Sequence, residues 1–311
     1  MTYNVLLVGY GAVGVVVAYA LQRTGKVNVT AVARSNYNTV CEGKLNLKSQ
    51  QYGEVQGLKP FRVVRTVAEA IDQPYDYVVI TTKAIPELYP TPKIVAPLLS
   101  SDYKHPQPTY VLMQNGLGVE RELHAALQEK ELTRSAKIIT GAIQIMTNMV
   151  GDAVIHGDFT RFFGGIYQGE DELPSVSSSY NEALYRLVEL LKEGGVEAKI
   201  DLHAQAAKFR KNIWNASLAM LSCLTRTPCD VFFRDQVACQ SSVKVLLTIA
   251  AELDAIARAL DYPDEYLWEP TVFVEHYRKH HLEDTSGHKA STLLDLEAGR
   301  PFELEVILGE V

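Results

Sequence analysis

Short apolar runs alternate with amphipathic stretches in the N-terminal part of the chain. Tyr3–Val8 is apolar and is followed at once by Gly9, which predicts a buried strand. Ala12–Arg23 has the pattern of a helix, and Gly25 follows it as a residue typical of helix ends. Val27–Ala33 is again rich in β-branched residues. Together these segments predict one βαβ unit of about 30 residues.

The same alternation continues toward residue 200. The predicted strands are Tyr77–Thr82, Thr109–Met113, Lys137–Met146 and Val196–Ile200. The predicted helices are Glu87–Leu99, Val119–Gln128 and Asn181–Lys192. A short hairpin at the sheet edge is predicted from Ala153–His156 and Arg161–Gly164, and a surface loop from Gln168–Ser179. Strands that alternate with helices indicate a parallel, doubly wound sheet.

The pattern changes near Asp201, beyond which almost every segment is helical. The predicted helices there are Ala204–Leu224, Ser241–Ala259, Glu269–His281 and Thr292–Glu297, with a further helix beginning near Phe302. The expected fold is therefore α/β, with a Rossmann-type doubly wound parallel sheet over residues 1–200 and an all-α domain over residues 201–311.

Composition and charge narrow the class of protein. The chain has 311 residues, and 47% of them are hydrophobic, so each domain can bury a core. Its formal net charge is −7, and an acidic chain has no general attraction for nucleic acid or anionic membranes. The pattern shows neither a signal peptide nor an apolar run of ~18 residues that would span a membrane. We therefore expect a cytoplasmic protein whose four cysteines, none of them in a CxxC pair, stay reduced.

A glycine-rich loop joins the first strand to the first helix. It consists of Gly9, Tyr10, Gly11, Ala12, Val13 and Gly14. In such a loop Gly9 allows the tight turn, Gly11 lets the backbone approach a pyrophosphate, and Gly14 lets the helix pack against the strand. The N-terminus of the helix offers free N–H groups to phosphates. The alternative is a glycine-rich turn that binds nothing, but the strand before the loop and the helix after it favour a dinucleotide site.

The end of the second strand bears on the choice of cofactor. NAD enzymes usually place an acidic residue there to bind the ribose 2′-OH, whereas this chain has Arg34. Because a guanidinium suits a phosphate by charge and by geometry, NADPH is preferred over NADH. Lys83 follows a predicted strand at its C-terminal end, where ligands of open α/β sheets bind. The alternatives are a solvated surface arginine and a surface lysine.

Three further segments occur in the order found in a known family. They are the loop Gln114–Gly118 (QNGLG), the segment Lys208–Asn215 (KFRKNIWN) and the segment Ala290–Glu305 (ASTLLDLEAGRPFELE). With the glycine-rich loop and Lys83, they make the chain resemble the ketopantoate reductase family over nearly its whole length. The resemblance implies reduction of 2-dehydropantoate (ketopantoate) to (R)-pantoate by NADPH, a step of pantothenate biosynthesis.

The resemblance also implies residue roles. Lys211 matches the catalytic lysine, which stabilises the negative charge on the carbonyl oxygen and donates a proton. Asn215, one helical turn later, matches a substrate-binding asparagine, and Ser291 matches a serine that binds the substrate carboxylate. Asn115 matches a loop asparagine that touches cofactor and substrate, and Glu303 matches an acid near the nicotinamide ribose.

Each of these residues has a simpler interpretation when taken alone. Lys211 can be a solvated helix lysine, and Lys208 and Arg210 are neighbouring rivals for its role. Asn215 can be a surface amide, Glu303 part of a charged helix face, and Ser291 only an N-cap. Their joint order along the chain favours the functional interpretation.

The chain departs from the family pattern at two positions. Ala219 and Cys229 stand where asparagines are common. Both changes remove hydrogen bonds to substrate, which puts ketopantoate itself in doubt. One rival hypothesis is a paralogous reductase of another 2-oxo acid or ester. The other is a non-catalytic NADPH-sensing protein, which would not need the lysine.

The remaining expectations concern metals and partners. His276 and His280 have the i, i+4 spacing of a metal-binding pair, with His281 and His288 nearby, but a solvated helix face is favoured and no metal is expected. The expected partner is a small 2-oxo acid, and a homodimer is a further possibility.

Overall fold

The computed structural model describes residues 2–133, 136–169, 178–234, 236–283 and 289–311. The chain forms two compact units. The first unit contains Met1–Gln114 and Gly118–Ala204, and the second contains Asn115–Leu117 and Gln205–Val311. A three-residue loop therefore belongs with the C-terminal segment although its neighbours on both sides belong to the first unit.

The first unit contains ten strands and five α-helices among its described residues. The strands are β1 (Tyr3–Val8), β2 (Val27–Val32), β3 (Asn46–Ser49), β4 (Gly53–Val55), β5 (Arg62–Val64), β6 (Tyr77–Ile80), β7 (Thr109–Leu112), β8 (Lys137–Val150), β9 (Ala153–Tyr167) and β10 (Glu197–Ile200). The helices are α1 (Ala12–Gln22), α2 (Tyr37–Cys41), α3 (Thr91–Ile94), α4 (Arg121–Glu129) and α5 (Ser178–Glu193).

All ten strands lie in one sheet. Along its main path the order is β4-β3-β9-β8-β7-β6-β1-β2-β5, and β10 pairs with β9. From β5 to β8 every neighbouring pair is parallel, in the order of a Rossmann sheet. Apolar side chains of β1, β2 and α1 are fully buried in the core, as expected for a sheet covered by helices. The predicted Rossmann-type region is confirmed.

The sheet is not parallel throughout, which corrects the prediction at one end. β8 and β9 are long antiparallel strands, with Val150 opposite Ala153. Only Gly151 and Asp152 separate them, and a two-residue connection joins antiparallel neighbours. The short hairpin predicted from Ala153–His156 and Arg161–Gly164 is therefore wrong, because both segments belong to the one strand β9. Part of the predicted loop Gln168–Ser179 lies outside the described residues.

The predicted helix Glu87–Leu99 is also wrong. The structure has only the single turn α3 and a 3₁₀ turn at Ala96–Leu99 in this segment. Pro90, Pro92 and Pro97 explain the difference, because proline lacks the N–H that a helix interior needs and disfavours helix in the preceding residue.

The regular secondary structure among the described residues of the second unit is helical. Its α-helices are α6 (Ala204–Trp214), α7 (Met220–Thr225), α8 (Val231–Arg234), α9 (Gln236–Ala259), α10 (Pro270–Glu283) and α11 (Ser291–Glu297). A π-helical turn, Asn215–Ala219, joins α6 to α7, and a second π-helical turn lies at Glu305–Gly309. π-helical turns of this kind are frequent at functional sites. The helix predicted to begin near Phe302 is this second turn, which starts later and is short.

Candidate active site

The glycine-rich loop has the backbone geometry that its sequence predicts. Gly9 has a φ of 105°, a value that favours glycine, and a Cβ there would lie 2.7 Å from the Thr82 nitrogen. A Cβ at Gly14 would lie 2.1 Å from the Gly9 oxygen, so Gly14 lets α1 pack closely. Gly11 differs, because a Cβ there would meet nothing within 4 Å. The open space lies at the N-terminus of α1, which fits a dinucleotide pyrophosphate.

The other loop residues position the backbone. The Tyr10 side chain is buried in the core, and burial raises the pKa of its hydroxyl. Its carbonyl oxygen accepts a hydrogen bond of 2.7 Å from the Asn36 amide. Ala12 and Val13, in the first turn of α1, are half-buried. These three residues can therefore bind a ligand through their main-chain groups. The position of Tyr10 is fixed by its buried side chain and by the hydrogen bond to its carbonyl oxygen.

The residues that follow three neighbouring strands share one edge of the sheet. Val8 of β1 pairs with Val32 of β2 and with Ile80 of β6, so all three strands end at the same level. Arg34 is exposed beyond β2, with its guanidinium carbon 5.8 Å from the Tyr89 ring centre. Lys83 is exposed beyond β6. Both cations thus lie at the edge where the glycine-rich loop begins.

In the second unit a hydrogen-bonded chain links three segments that are far apart in sequence. Lys211 Nζ on α6 donates to Asn115 Oδ1 at 2.5 Å. Asn115 Nδ2 in turn donates to Glu303 Oε2 at 3.0 Å. We call these three residues the Lys–Asn–Glu cluster. The amide joins the ammonium to a carboxylate that is only 5% exposed.

The loop that carries Asn115 is fixed by its backbone. Gly116 has a φ of 83°, and a Cβ there would lie 2.5 Å from the Val306 side chain. The Leu117 nitrogen donates to the Val306 oxygen at 2.7 Å. Asn212, next to Lys211 on α6, donates to the Ile307 oxygen at 2.9 Å. The π-helical turn after Glu303 is therefore tied both to the Asn115 loop and to α6.

The surroundings of Lys211 change its proton affinity. The pKa of Lys211 is lowered from 10.5 to about 8, mainly because burial disfavours the charged form. The Glu303 carboxylate acts against this shift, and the positive charge of Lys208 adds to it. The ammonium therefore still predominates at neutral pH, and it holds a proton that is readily given up. A lysine with these properties can act as a general acid.

The structure does not join Asn215 or Ser291 to the cluster by hydrogen bonds. Asn215 is buried and begins the π-helical turn directly after α6, one turn beyond Lys211. Ser291 is exposed and is the first residue of α11, with Ala290 rather than Ser291 at the N-cap position. In the described part of the chain neither side chain makes a hydrogen bond to Lys211, Asn115 or Glu303.

Two buried polar residues beside Lys211 had no distinct signal in the sequence. Lys208 is only 3% exposed, unusual for a lysine, and lies one turn before Lys211 on α6. Asn212 is equally buried. In the sequence Lys208 stands out only as a rival for the catalytic role, and nothing marks Asn212 as a site residue. Arg210, the other rival, is bonded to the Glu265 carbonyl oxygen and lies over the Trp268 ring.

The two positions that depart from the asparagine pattern are buried and apolar. Ala219 is 1% exposed and Cys229 is fully buried. Burial raises the pKa of the Cys229 thiol to about 12, so this cysteine is an inert neutral group.

The histidine-rich helix α10 packs its rings against other aromatic rings. The His276 ring lies 5.3 Å from the Trp268 ring, and burial lowers the pKa of His276. The His280 ring lies 5.5 Å from that of His281. His288 lies outside the described residues. Among the residues that the structure describes, no group of three or more potential ligands is placed to hold a metal ion.

Comparison with known families covers most of the chain. Residues 5–164 match the family described as ketopantoate reductase PanE/ApbA. Residues 203–311 match the family described as ketopantoate reductase PanE/ApbA C terminal. The chain belongs to the ketopantoate reductase family. Members of this family bind NAD(P)H and reduce 2-oxo acids, so the chain is an oxidoreductase.

Individual proteins are similar to this chain over nearly its full length. A crystal structure of 2-dehydropantoate 2-reductase from Methylococcus capsulatus is 26% identical, with a TM-score of 0.73 over 98% of this chain and 88% of that one. D-mandelate dehydrogenase, solved with NADH and anilino(oxo)acetate, is 17% identical, with a TM-score of 0.74 over 98% of this chain and 89% of that one, and shows the same fold. An uncharacterized protein of Saccharomyces cerevisiae is 26% identical over 98% of this chain and 86% of its own length.

No helix in the described ranges combines the length and the apolar character that crossing a membrane requires.

Proposed function

We propose that this ketopantoate reductase family member reduces 2-dehydropantoate to (R)-pantoate with NADPH. The observation that carries the proposal is the Lys–Asn–Glu cluster, which places a lysine of lowered pKa in a hydrogen-bonded chain with a buried carboxylate. A protein that only senses a nucleotide has no use for a proton donor held in this way. We therefore favour catalysis over the sensing hypothesis.

NADPH, when bound, supplies the hydride. In our proposal the first unit holds it through the backbone of the loop Gly9–Gly14, Arg34 binds its 2′-phosphate, and Lys83 is a further contact. The preference for NADPH over NADH rests on Arg34, since a guanidinium favours a 2′-phosphate and no acidic residue stands in its place.

Lys211 acts as the electrophile and proton donor in this proposal. Negative charge grows on the carbonyl oxygen of the 2-oxo acid during reduction, and an ammonium group hydrogen-bonded to that oxygen stabilises the charge. Lys211 then gives its proton to the oxygen, which its pKa of about 8 makes possible near neutral pH. Asn115 orients the ammonium group, and Glu303 holds Asn115 in place and favours the protonated lysine.

We assign substrate binding to Asn115, Asn215 and Ser291. Asn215 is supported by its place one turn beyond Lys211, and Ser291 by its exposure at the start of α11. Glu303 is assigned to the cofactor as well as to the cluster.

With the reaction we propose a place in pantothenate biosynthesis and in the cytoplasm. The division into domains of residues 1–200 and 201–311 and a homodimer stay predictions.

A second candidate function is reduction of a different 2-oxo acid. Ala219 and Cys229 favour it, because they leave apolar, buried side chains where the family pattern has amides that can bind a hydroxylated substrate. D-mandelate dehydrogenase has the same fold, and mandelate, the compound in its name, carries an aromatic ring.

The two functions are separated by following NADPH oxidation in the full-length protein with ketopantoate and a panel of aliphatic, branched and aromatic 2-oxo acids. A kcat/KM for ketopantoate at least tenfold above that for the rest of the panel supports the first function. A better substrate elsewhere in the panel supports the second. If no member is reduced although NADPH binds tightly, the catalytic proposal is wrong.

A further inference from the structure

A second guanidinium group lies at the sheet edge that carries Arg34. β5 pairs in parallel with β2, with Val64 opposite Val32. The Ala33 nitrogen also donates to the Val64 oxygen at 2.9 Å, so the pairing extends beyond the end of β2. Arg65 is the first residue after β5, and Arg34 is the second after β2. The two arginines therefore leave the sheet side by side.

The Arg65 side chain contacts Tyr37 and Asn38, which follow Arg34 closely in the chain. Its guanidinium carbon lies 3.9 Å from the centre of the Tyr37 ring, close contact for a cation over an aromatic face. Its Nη2 donates to Asn38 Oδ1 at 3.0 Å. The Tyr37 nitrogen in turn donates to the Arg34 carbonyl oxygen at 3.3 Å. Arg65 is thus oriented in advance by the first two residues of α2.

The nearby carboxylates are bound to other groups. Glu69 accepts from the Arg65 backbone nitrogen at 3.1 Å and from the Thr66 hydroxyl at 3.0 Å. Asp72 forms an ion pair of 2.7 Å with Arg62. Across the described ranges, neither Arg34 nor Arg65 has a carboxylate within ion-pair distance of its guanidinium group.

Two guanidinium groups without carboxylate partners stand out in a chain of net charge −7. Arginines elsewhere in the described residues, such as Arg161 and Arg258, are paired with an acidic side chain. A site that concentrates unpaired positive charge is suited to an anion carrying more than one negative charge, and guanidinium groups bind phosphate through paired hydrogen bonds.

We propose that Arg65 is a second specificity-determining residue of the cofactor site, binding the 2′-phosphate of NADPH together with Arg34. The inference rests on the proposed use of NADPH. In this proposal Arg65 is the pre-positioned side of the phosphate site, because Tyr37 and Asn38 hold its side chain. Arg34 is the exposed side, and it closes onto the ligand. NADH has only a hydroxyl at this position and gains little from either residue.

The test measures binding and does not depend on turnover. NADPH and NADH are titrated separately into the full-length protein, and the fluorescence of the reduced nicotinamide gives each Kd. Arg65→Gln should weaken NADPH about tenfold to a hundredfold, as expected for loss of a hydrogen bond between charged groups, and should change NADH less than about twofold. Arg65→Lys keeps the charge without the planar fork and should fall between Arg65→Gln and the wild type.

Arg62→Gln is the matched control. Arg62 lies three residues earlier, at the start of β5, and its guanidinium group is bound to Asp72, so its loss should change both affinities less than about twofold. Equal losses of NADPH and NADH affinity in Arg65→Gln would show that Arg65 acts on the loop and not on the phosphate, and unchanged affinities would show that it does not touch the ligand. Either result overturns this proposal alone. A wild-type protein that binds NADH as well as NADPH would overturn the NADPH proposal with it.

Discussion

The two units of the chain build their sites in different ways. In the first unit the proposed nucleotide site is backbone, shaped by three glycines within six residues. In the second unit the proposed catalytic site consists of side chains from three segments, and the Lys–Asn–Glu cluster brings residue 115 together with residues 211 and 303. A site made of local backbone is specified by a short motif, whereas a site made of distant side chains exists only when the whole unit is folded.

The largest effect should follow from removing the ammonium group. Lys211→Ala should lower kcat by about 10²–10⁴-fold, the range for loss of a general acid, while the Kd of NADPH changes less than about threefold. Stopped-flow and fluorescence titration measure the two quantities. Because burial disfavours the charged form of this lysine, the variant should melt within a few degrees of the wild type.

Lys192→Ala is the control for that variant, and its kcat should not change. Lys192 is an exposed lysine whose side chain, among the described residues, is bound only to Glu189 on its own helix. If Lys211→Ala keeps full activity, Lys211 is not the proton donor. The contrast between a backbone site in the first unit and a side-chain site in the second would then not hold.

The next effect concerns the choice of cofactor. Arg34→Ala should weaken NADPH about tenfold to a hundredfold and NADH by much less, because the loss is one guanidinium–phosphate contact. Isothermal titration with each nucleotide gives the ratio. Parallel losses for the two nucleotides would mean that Arg34 supports the loop and does not contact the 2′-phosphate.

Two alanine substitutions separate ligand binding from packing within the glycine-rich loop. Gly11→Ala has free space and an extended backbone, so it should keep its melting temperature and lose NADPH affinity at least about tenfold. Gly14→Ala forces a Cβ against the Gly9 oxygen and should cost about 1–3 kcal/mol of stability. Thermal melting and NADPH titration of both variants test the assignment. Gly11→Ala with full NADPH affinity would show that the open space is not the pyrophosphate site.

The smallest effect is a shift of a pH profile. Lys211 must be protonated to donate, so the reduction rate should be retained below pH 8 and fall as the pH rises through about 8. The Glu303 carboxylate raises the pKa of Lys211, so Glu303→Gln should lower that pKa and move the falling limb by about one pH unit toward acid. The pH dependence of kcat/KM in both proteins measures this shift. An unmoved limb would show that Glu303 does not influence the proton on Lys211.

Local features of the fold were predictable, and distant ones were not. The strand Tyr3–Val8, the helix from Ala12 and the glycine-rich loop depend on neighbouring residues, and the structure has them where expected. The antiparallel pairing of β8 and β9 depends on a two-residue turn that the apolar pattern does not reveal. The proline-rich segment after residue 86 carries apolar residues at helical spacing but lacks the N–H groups to continue a helix.

The same distinction applies to the candidate site. Asn115, Lys211 and Glu303 were proposed from motif resemblance, and no periodicity in the sequence indicates that they are hydrogen-bonded to one another. The burial of Lys208 and Asn212 was not predictable, because a helix face is covered or exposed according to which distant segments pack on it. For Asn212 the partner is the main chain of Ile307, ninety-five residues away.

The three-residue loop Asn115–Leu117 limits how the chain can be divided. A fragment that begins at residue 205 would contain Lys211 and Glu303 but not the amide that joins them, nor the backbone N–H that binds the Val306 oxygen. A gene fragment or a domain exchange that cuts the chain between residues 204 and 205 would therefore separate Asn115–Leu117 from the helices that it contacts. Transplanting the C-terminal unit onto another scaffold would require that this loop be carried along.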